Sequence, residues 1–323
     1  MTNPAALLLL PRIQIQNANA ISGPMTWGFP SPTAFTGFVH ALERRLPAEF
    51  NIKFGGVGII CHHFGPQISQ PAGRHYQVFN LTRNPLYAGY KKFEDKPAAI
   101  VEEGRAHMEI SLLIEVLTDL DDDEQEELME DILSTVHCMR LAGGSILPND
   151  DKRHQPIWFD WWDDAADNIT TFRKLRYSLL PGFALVQRED LLTKHTEELQ
   201  QKNVNANALD ALLDLSRMNF EPGEANPKKP DEVLWEIRSK PGWLVPIPAG
   251  YAALSPLYPP GEVINARDEQ TSFRFVESLY SLGEWISPHR LTEHTQLIWK
   301  HDTNTETGIY RCINHYTKHE TYA

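Results

Sequence analysis

The densest group of side chains that could hold a metal or move a proton is Cys61-His62-His63. Zinc uses such thiolates and imidazoles, but needs them converging on one point. Adjacent residues of a strand point to alternating faces, so one ion cannot collect all three. No second ligand pair stands at a recognisable spacing, and no metal or other cofactor is expected. His315 and His319 lie near the C-terminus without a partner motif. His62, His63 or His107 could act as acid or base in RNA cleavage, or be purely structural. No GxSxG, HExxH, Walker or GxGxxG element is present. The expectation is a protein without catalytic activity.

Other segments suit a different chemistry, the gripping of unpaired nucleic acid. From Ile13 to Leu42 there is no Asp, Glu, Lys or Arg, while Gln14, Gln16, Asn17, Asn19, Ser22, Thr26, Trp27, Phe29 and Ser31 occur. Amides and hydroxyls bond base edges and sugars, and aromatic faces stack on bases. For Trp27 and Phe29, core packing is an equal reading. Residues 66–97 form a second candidate, through Gln67–Arg74 and Phe79–Pro85, then Tyr87, Tyr90, Lys91 and Lys92. This stretch reads as a basic flap over a phosphate backbone or as a plain surface hairpin. The third is Arg140-Leu141-Ala142-Gly143-Gly144-Ser145. Its glycines let backbone amides approach a phosphate that Arg140 could anchor, or they form a helix cap and turn. Gly104-Arg105 carries the same ambiguity.

These segments need a frame. Leu7–Ile15 reads as a buried strand. Ser31-Pro32 sets a helix start, and Phe35, Phe38, Val39, Leu42 and Leu46 follow at helical spacing. Val57–Cys61 is a second strand. Ile100–Val101 and Met108–Val116 are two ends of an extended region broken at Gly104. The acidic run Asp119–Asp131 opens a second helix with Leu128, Ile132, Val136 and Met139 on its core face. Phe183–Val186 reads as the next strand, Asp190–Gln201 and Ala208–Met218 as helices, and Glu221–Pro230 as a loop or linker. Trp243–Pro248 reads as extended and Phe273–Leu282 as helical. Strand–helix–strand–strand–helix–strand over 7–187 is the split βαβ, ferredoxin-like or RRM-like order of an α+β protein. The expected organisation is an RNA-binding core over 1–190 and a partner-facing elaboration over 191–323.

Composition is consistent with that division. The chain has 323 residues and a net charge of −13, yet residues 1–93 carry eight Lys/Arg against two carboxylates, a local +6. A polyanion-facing half and a solvated or partner-facing half explain the asymmetry, as does chance clustering. Three scattered cysteines and no long apolar run suggest a reduced, cytoplasmic setting away from membranes.

Several blocks together resemble one family. They are LLLLPRIQIQNANAISGPMTWGFPSPTAFTGFVHAL (7–42), ISQPAG (68–73), FNLTRNPL (79–86) and AAIVEEGRAHMEISLL (98–113). They continue in MRLAGGSILP (139–148), LPGFALV (180–186), KPGWLVPIPAGYAALSPLY (240–258) and LGEWISPHR (282–290). The set is similar to the 5′-handle-binding second subunit of the type I-F CRISPR surveillance (Csy) complex, a RAMP-superfamily protein. The likeness thins over 118–177, about 195–235, and after 291.

The resemblance implies a hand-shaped, RRM-like protein without activity that clamps the 5′ handle of the CRISPR RNA. It also implies a heterodimer with the large subunit of the complex, contact with the adjacent backbone subunit, and a place beside entering double-stranded DNA in antiviral defence. Within the matching blocks, chemistry selects Arg12, Asn17, Asn19, Trp27, Arg74, Arg83, Arg105, Arg140, Gly143, Gly144 and Ser145 for the RNA. Arg44 and Arg45 could face the DNA backbone or merely complement a helix dipole. The rival expectations are a repeat-RNA endoribonuclease of the same fold and an RNA-independent protein adaptor.

Overall fold

Leu7–Leu10 is a continuous apolar run, and all four side chains are 3% exposed or less. A run of that kind makes a strand covered on both faces. It begins β1 (Ala6–Asn19), which extends well past Ile15 into the polar segment. The computed structural model describes residues 4–83, 100–149, 151–161, 165–226 and 229–316. The chain divides into two units, Met1–Asp163 and Asp164–Ala323.

In the first unit, β1 leads to α1 (Pro32–Glu43), β2 (Phe54–Pro66), β3 (Arg105–Val116), α2 (Asp122–His137), β4 (Arg140–Leu141), β5 (Gly144–Leu147) and β6 (Ile157–Asp160). The strands run β4-β5-β1-β3-β2 across an antiparallel sheet. β6 pairs Ala6–Leu9 on the edge of β1 where β5 pairs Gln14–Gln16. Ser31 caps α1 by accepting from the Thr33 amide, with Pro32 in the first turn. Asp121 and Glu124 form a reciprocal capping box that starts α2, so the acidic run serves helix initiation. The helices bury Phe35, Phe38, Val39, Leu42, Leu128, Ile132 and Val136. Each such side chain contributes about 1.5–3 kcal/mol.

The strands after α2 are therefore Arg140–Leu141 and Gly144–Leu147, and not Phe183–Val186 as the sequence suggested. A strand of four residues beginning with glycine carries too little periodicity to be read. Phe183–Gln187 (β7) belongs to the second unit and pairs with Val276–Ile286 there.

That unit holds α3 (Ala165–Ser178), β7, α4 (Glu189–Gln200), α5 (Ala208–Ser216), β8 (Phe220–Asn226), β9 (Lys229–Ile237), β10 (Leu244–Ala253), β11 (Val276–Ile286), β12 (Ile298–Asn304) and β13 (Ile309–Asn314). Strand order is β7-β11-β10-β13-β12, again antiparallel. Leu192 of α4 and Ala211, Leu212 and Leu215 of α5 pack on Leu282. Trp299 is fully buried, its indole donating to the Leu185 carbonyl at 2.8 Å.

Two expectations fail here. Phe273–Leu282 is not helical: β11 runs through it, with consecutive buried residues Ser281–Glu284 hiding the period of two. At Gly283 a Cβ would meet Ile247 and Leu185 at 3.2 Å, a close approach of neighbouring chains that favours glycine within a strand. Glu221–Pro230 is not a loop either, because β8 and β9 pair from Phe220–Ile237 to Asn226–Lys229. Among the described residues no helix is long and apolar enough to cross a membrane.

Candidate nucleic-acid interface

Two irregularities in β1 start the site. Its ladder with β3 slips between Leu10 and Ile13, and again between Ile15 and Ala18. Pro11-Arg12 thus stand against Ser111, and Gln16-Asn17 against His107. Proline lacks the ladder donor, so a bulge is where a strand tolerates it. Arg12 and Asn17 take left-handed backbone angles, φ +53° and +58°. Asparagine visits that region readily; for arginine it costs about 1–2 kcal/mol. The freed amides are caught from β3: Arg12 N–H by Ser111 Oγ at 3.0 Å, Asn17 N–H by His107 Nδ1 at 3.4 Å.

The β4–β5 hairpin seats on the second bulge. Arg140 pairs with Ser145 and Leu141 with Gly144, leaving Ala142-Gly143 as a two-residue turn. Their φ values of +49° and +75° fit a type I′ turn, whose twist matches the strands. A Cβ on Gly144 would come within 2.6 Å of the Ile15 side chain and 2.8 Å of the Ala18 amide and Gln16 carbonyl. Only glycine allows that approach. The Ala142 carbonyl accepts from Asn19 N–H at 2.8 Å. Of the helix cap and turn read from the sequence, the turn is present, but it closes a hairpin rather than capping a helix.

Bulge and hairpin enclose a solvent-open groove of about 340 Å³. It is lined by Gln16, Asn17, Arg140, Gly143 and Ser145 together with Gln67, Thr82, Glu103 and Arg105. Gln67 Nε2 donates to Asn17 Oδ1 at 2.5 Å and lies 3.2 Å from His107 Nε2. Arg105 donates from Nε and Nη2 to Glu103 Oε2 at 3.1 and 3.0 Å, and from Nη1 to the Asn17 carbonyl at 3.4 Å. Arg140 is exposed and forms no ion pair among the described residues.

Of the residues chosen from sequence, the groove gathers Asn17, Arg105, Arg140, Gly143 and Ser145, with Gly144 beneath them. The others lie elsewhere or serve the fold. Arg12 bonds Glu109 at 2.6 Å and lines a separate small cavity with Leu10, Ile13 and Leu133. Asn19 bonds the Ile21 carbonyl and amide at 2.7 and 3.1 Å, a local turn. Trp27 covers Gly104, packs 4.7 Å from the Phe79 ring, and keeps 36% of its surface open. Phe29 stacks on Phe35 at 5.5 Å. Arg74 is exposed in a turn. Arg83 ends a short strand opposite Ile100. Its side chain, like Tyr87, Tyr90, Lys91, Lys92 and the rest of the proposed flap from 84 to 97, lies outside the described residues. Arg44 and Arg45 are exposed just past α1 and do not line the groove.

Gln16, Gln67 and Thr82 stood within segments read as contact regions but were not among the residues chosen for the RNA. Glu103 gave no signal, because it lies beyond the carboxylate-poor stretch that drew attention to the N-terminal residues. His62 bonds Ser111 Oγ at 2.7 Å. Burial, with the Glu109 charge added, pushes the Cys61 thiol up to about 12. It is therefore a poor nucleophile at neutral pH. Among the described residues no three of His, Cys, Asp and Glu converge as metal ligands; His319 lies outside them.

The second unit places cations differently. Asp214, 9% exposed, accepts from His195 Nε2 at 2.8 Å, Arg217 Nη2 at 2.9 Å and Arg238 Nη2 at 2.6 Å. Lys240 Nζ donates to the carbonyls of Asp214 at 2.7 Å and Leu215 at 3.0 Å, and to that of Arg217. Burial opposes the charge on Asp214, but the bonds from His195, Arg238 and Arg217 hold its carboxyl well below the usual range. Burial pulls Lys240 down.

The chain matches the family model described as "CRISPR-associated protein (Cas_Csy2)" over residues 8–312. It is similar to the "CRISPR-associated protein Csy2" of Pseudomonas aeruginosa strain UCBPP-PA14, with 53% identity over 320 residues covering 96% of each chain.

Proposed function

Because the chain belongs to the Csy2 family of CRISPR-associated proteins, subunits of the type I-F Csy complex, we propose that it holds the 5′ handle of the CRISPR RNA in the Arg105–Arg140 groove and performs no chemistry. The observation that carries this reading is the groove itself. An exposed guanidinium, the Gly143 turn and several amides line one solvent-open space of about 340 Å³. Cations position a phosphate backbone, whereas amides suit sugars and unpaired base edges.

The first unit's strand order, with a helix after the first strand and another after the third long strand, supports a split βαβ, RRM-like core. Trp27 and Phe79, beside Gly104, offer an aromatic surface near the groove. On the same reading, the large subunit and the adjacent backbone subunit are the protein partners in the cytoplasm. On that reading, the exposed Arg44 and Arg45 would meet the backbone of entering double-stranded DNA.

The test is co-expression of the full chain with the other Csy subunits and a repeat-bearing RNA. Arg105→Glu with Arg140→Glu should release the RNA while the protein stays folded. Unchanged RNA retention would sink the assignment. Metal-independent cleavage of that RNA, abolished by His107→Ala, would overturn the non-catalytic reading in favour of a ribonuclease. Assembly that is indifferent to RNA would favour the adaptor.

A further inference from the structure

His107 does not line the groove, yet both of its ring nitrogens reach residues that do. It lies on β3 between the Gln16-Asn17 bulge of β1 and Gly65 of β2. Nδ1 is 3.4 Å from the Asn17 backbone nitrogen, and Nε2 is 3.2 Å from the end of the Gln67 side chain. The side-chain amides of Gln67 and Asn17 meet in turn at 2.5 Å. Gln67 is pinned by its backbone: its N–H donates to the Arg105 carbonyl at 2.8 Å, and its carbonyl accepts from Asn80 N–H at 3.2 Å. His107, Gln67 and Asn17 therefore form a closed circuit, in which the count of protons decides the direction of every bond.

A neutral imidazole has one N–H and one lone pair. The Asn17 backbone amide can only donate, and it points at Nδ1. The lone pair is thus on Nδ1 and the proton on Nε2, and that Nε2–H needs an oxygen to face. With Gln67 Nε2 turned towards it, either two donors meet or the imidazole has to accept at both nitrogens, which only an anionic ring can do. The oxygen and nitrogen of an amide fill nearly the same outline, and their partners tell them apart. Turning the Gln67 amide over by half a turn sets Oε1 against Nε2–H. Turning Asn17 likewise sets its Nδ2 against the same oxygen. Every donor in the circuit then has an acceptor, both lone pairs of Gln67 Oε1 are used, and the Gln67 NH2 group is left for the groove.

We propose that His107 is a positioning residue for RNA: its Nε2–H holds the Gln67 carbonyl inward, so that Gln67 meets the ligand with N–H donors instead of an oxygen. The ligand atoms this suits are phosphate oxygens, 2′-hydroxyls and base carbonyls, the acceptors of an unpaired strand. A Gln67 carbonyl facing outward would repel those same oxygens. This role rests on the groove being the RNA site, and it names the residue that sets the polarity of that site.

The experiment is a double-mutant cycle. Affinity of the assembled complex for a repeat-bearing RNA is measured by filter binding for wild type, Gln67→Met, His107→Phe and the two combined, with thermal unfolding followed on each. Gln67→Met should weaken binding about tenfold, the loss of one hydrogen bond to a charged group. His107→Phe alone should weaken it about threefold, because the Gln67 amide is then free to turn either way. In the Gln67→Met background His107→Phe should add nothing, since its effect passes through Gln67. An equal loss in both backgrounds overturns the proposal, by making His107 a direct RNA contact or a purely structural residue. The tautomer is read separately, without RNA. In nitrogen-15 histidine spectra of the full chain at mildly alkaline pH, the imidazole that His107→Phe removes should show a protonated Nε2 and a bare Nδ1. A proton on Nδ1 overturns the proposal whatever the binding data show. Release of RNA by Arg105→Glu with Arg140→Glu, alongside an equal His107→Phe loss in both backgrounds, overturns the role of His107 alone. RNA that stays on the charge-reversed groove overturns the groove reading and this role with it.

Discussion

The groove of the first unit and the Asp214 cluster of the second both gather cations, yet they leave them in opposite states. Around Asp214 every cation has a partner. Arg217, Arg238 and His195 converge on one carboxylate, and Lys240 on carbonyls at the end of α5. Those donors are tied to acceptors that the fold itself supplies. At the groove, Arg140 has no ion pair among the described residues, and the one carboxylate that Arg105 meets there, Glu103, is 39% exposed to solvent. What marks a binding site is therefore not how many cations gather, but how much of their charge remains available to a ligand.

The sharpest way to break this contrast is charge reversal in the groove. Arg105→Glu with Arg140→Glu should weaken RNA retention by the Csy assembly at least about a hundredfold, because two charge-assisted hydrogen-bonding groups are removed. Filter binding with a repeat-bearing RNA reads the effect, and the unfolding temperature should not move. The converse change, Asp214→Ala, should cost about 2 kcal/mol of stability because two guanidinium groups and the His195 imidazole are left without a shared acceptor. Denaturant unfolding measures it, and RNA affinity should be unaffected. Weakened RNA binding on Asp214→Ala would mean that the two regions are not distinct in role.

Smaller effects refine the picture. Glu103→Gln removes a carboxylate from the groove and frees Arg105, so RNA should bind about threefold more tightly. The acid limb of stability should then show Asp214. Its carboxyl is held below the ordinary value in the folded chain, so its contribution is complete above that ordinary value of 3.8 and is lost as pH falls below it. Asp214→Asn should flatten unfolding free energy against pH over that range.

Much of the frame was legible in the residues. Ser31-Pro32 and the acidic run Asp119–Asp131 announced both helices of the first unit, and the Leu7–Leu10 run announced its central strand, because helix starts and apolar runs are local signals. The break at Gly104 was legible for the same reason, and Trp27 lying across it explains why glycine stands there. The short strand Gly144–Leu147 was not, because it pairs with a distant part of the chain, next to the bulge at Gln16-Asn17. β11 looked helical because burial on both faces erased its alternation. The site divided along the same line. Asn17, Arg105, Arg140, Gly143 and Ser145 met as chosen, whereas Arg12 and Asn19 look equally suited in sequence but are engaged by Glu109 and by a local turn. Whether a side chain is already engaged is a tertiary fact.

The most direct measurement is the salt dependence of RNA binding with Arg140 alone removed. Affinity of the assembled complex for a repeat-bearing RNA is followed across ionic strength for wild type and Arg140→Ala. Each phosphate of single-stranded RNA that a cation neutralises adds about 0.7 to the steepness of log K against log salt. Arg140→Ala should therefore flatten the slope by about that amount, with weaker binding at low salt and the fold intact. Superimposable salt curves from a folded Arg140→Ala chain would contradict a phosphate-holding role for the groove.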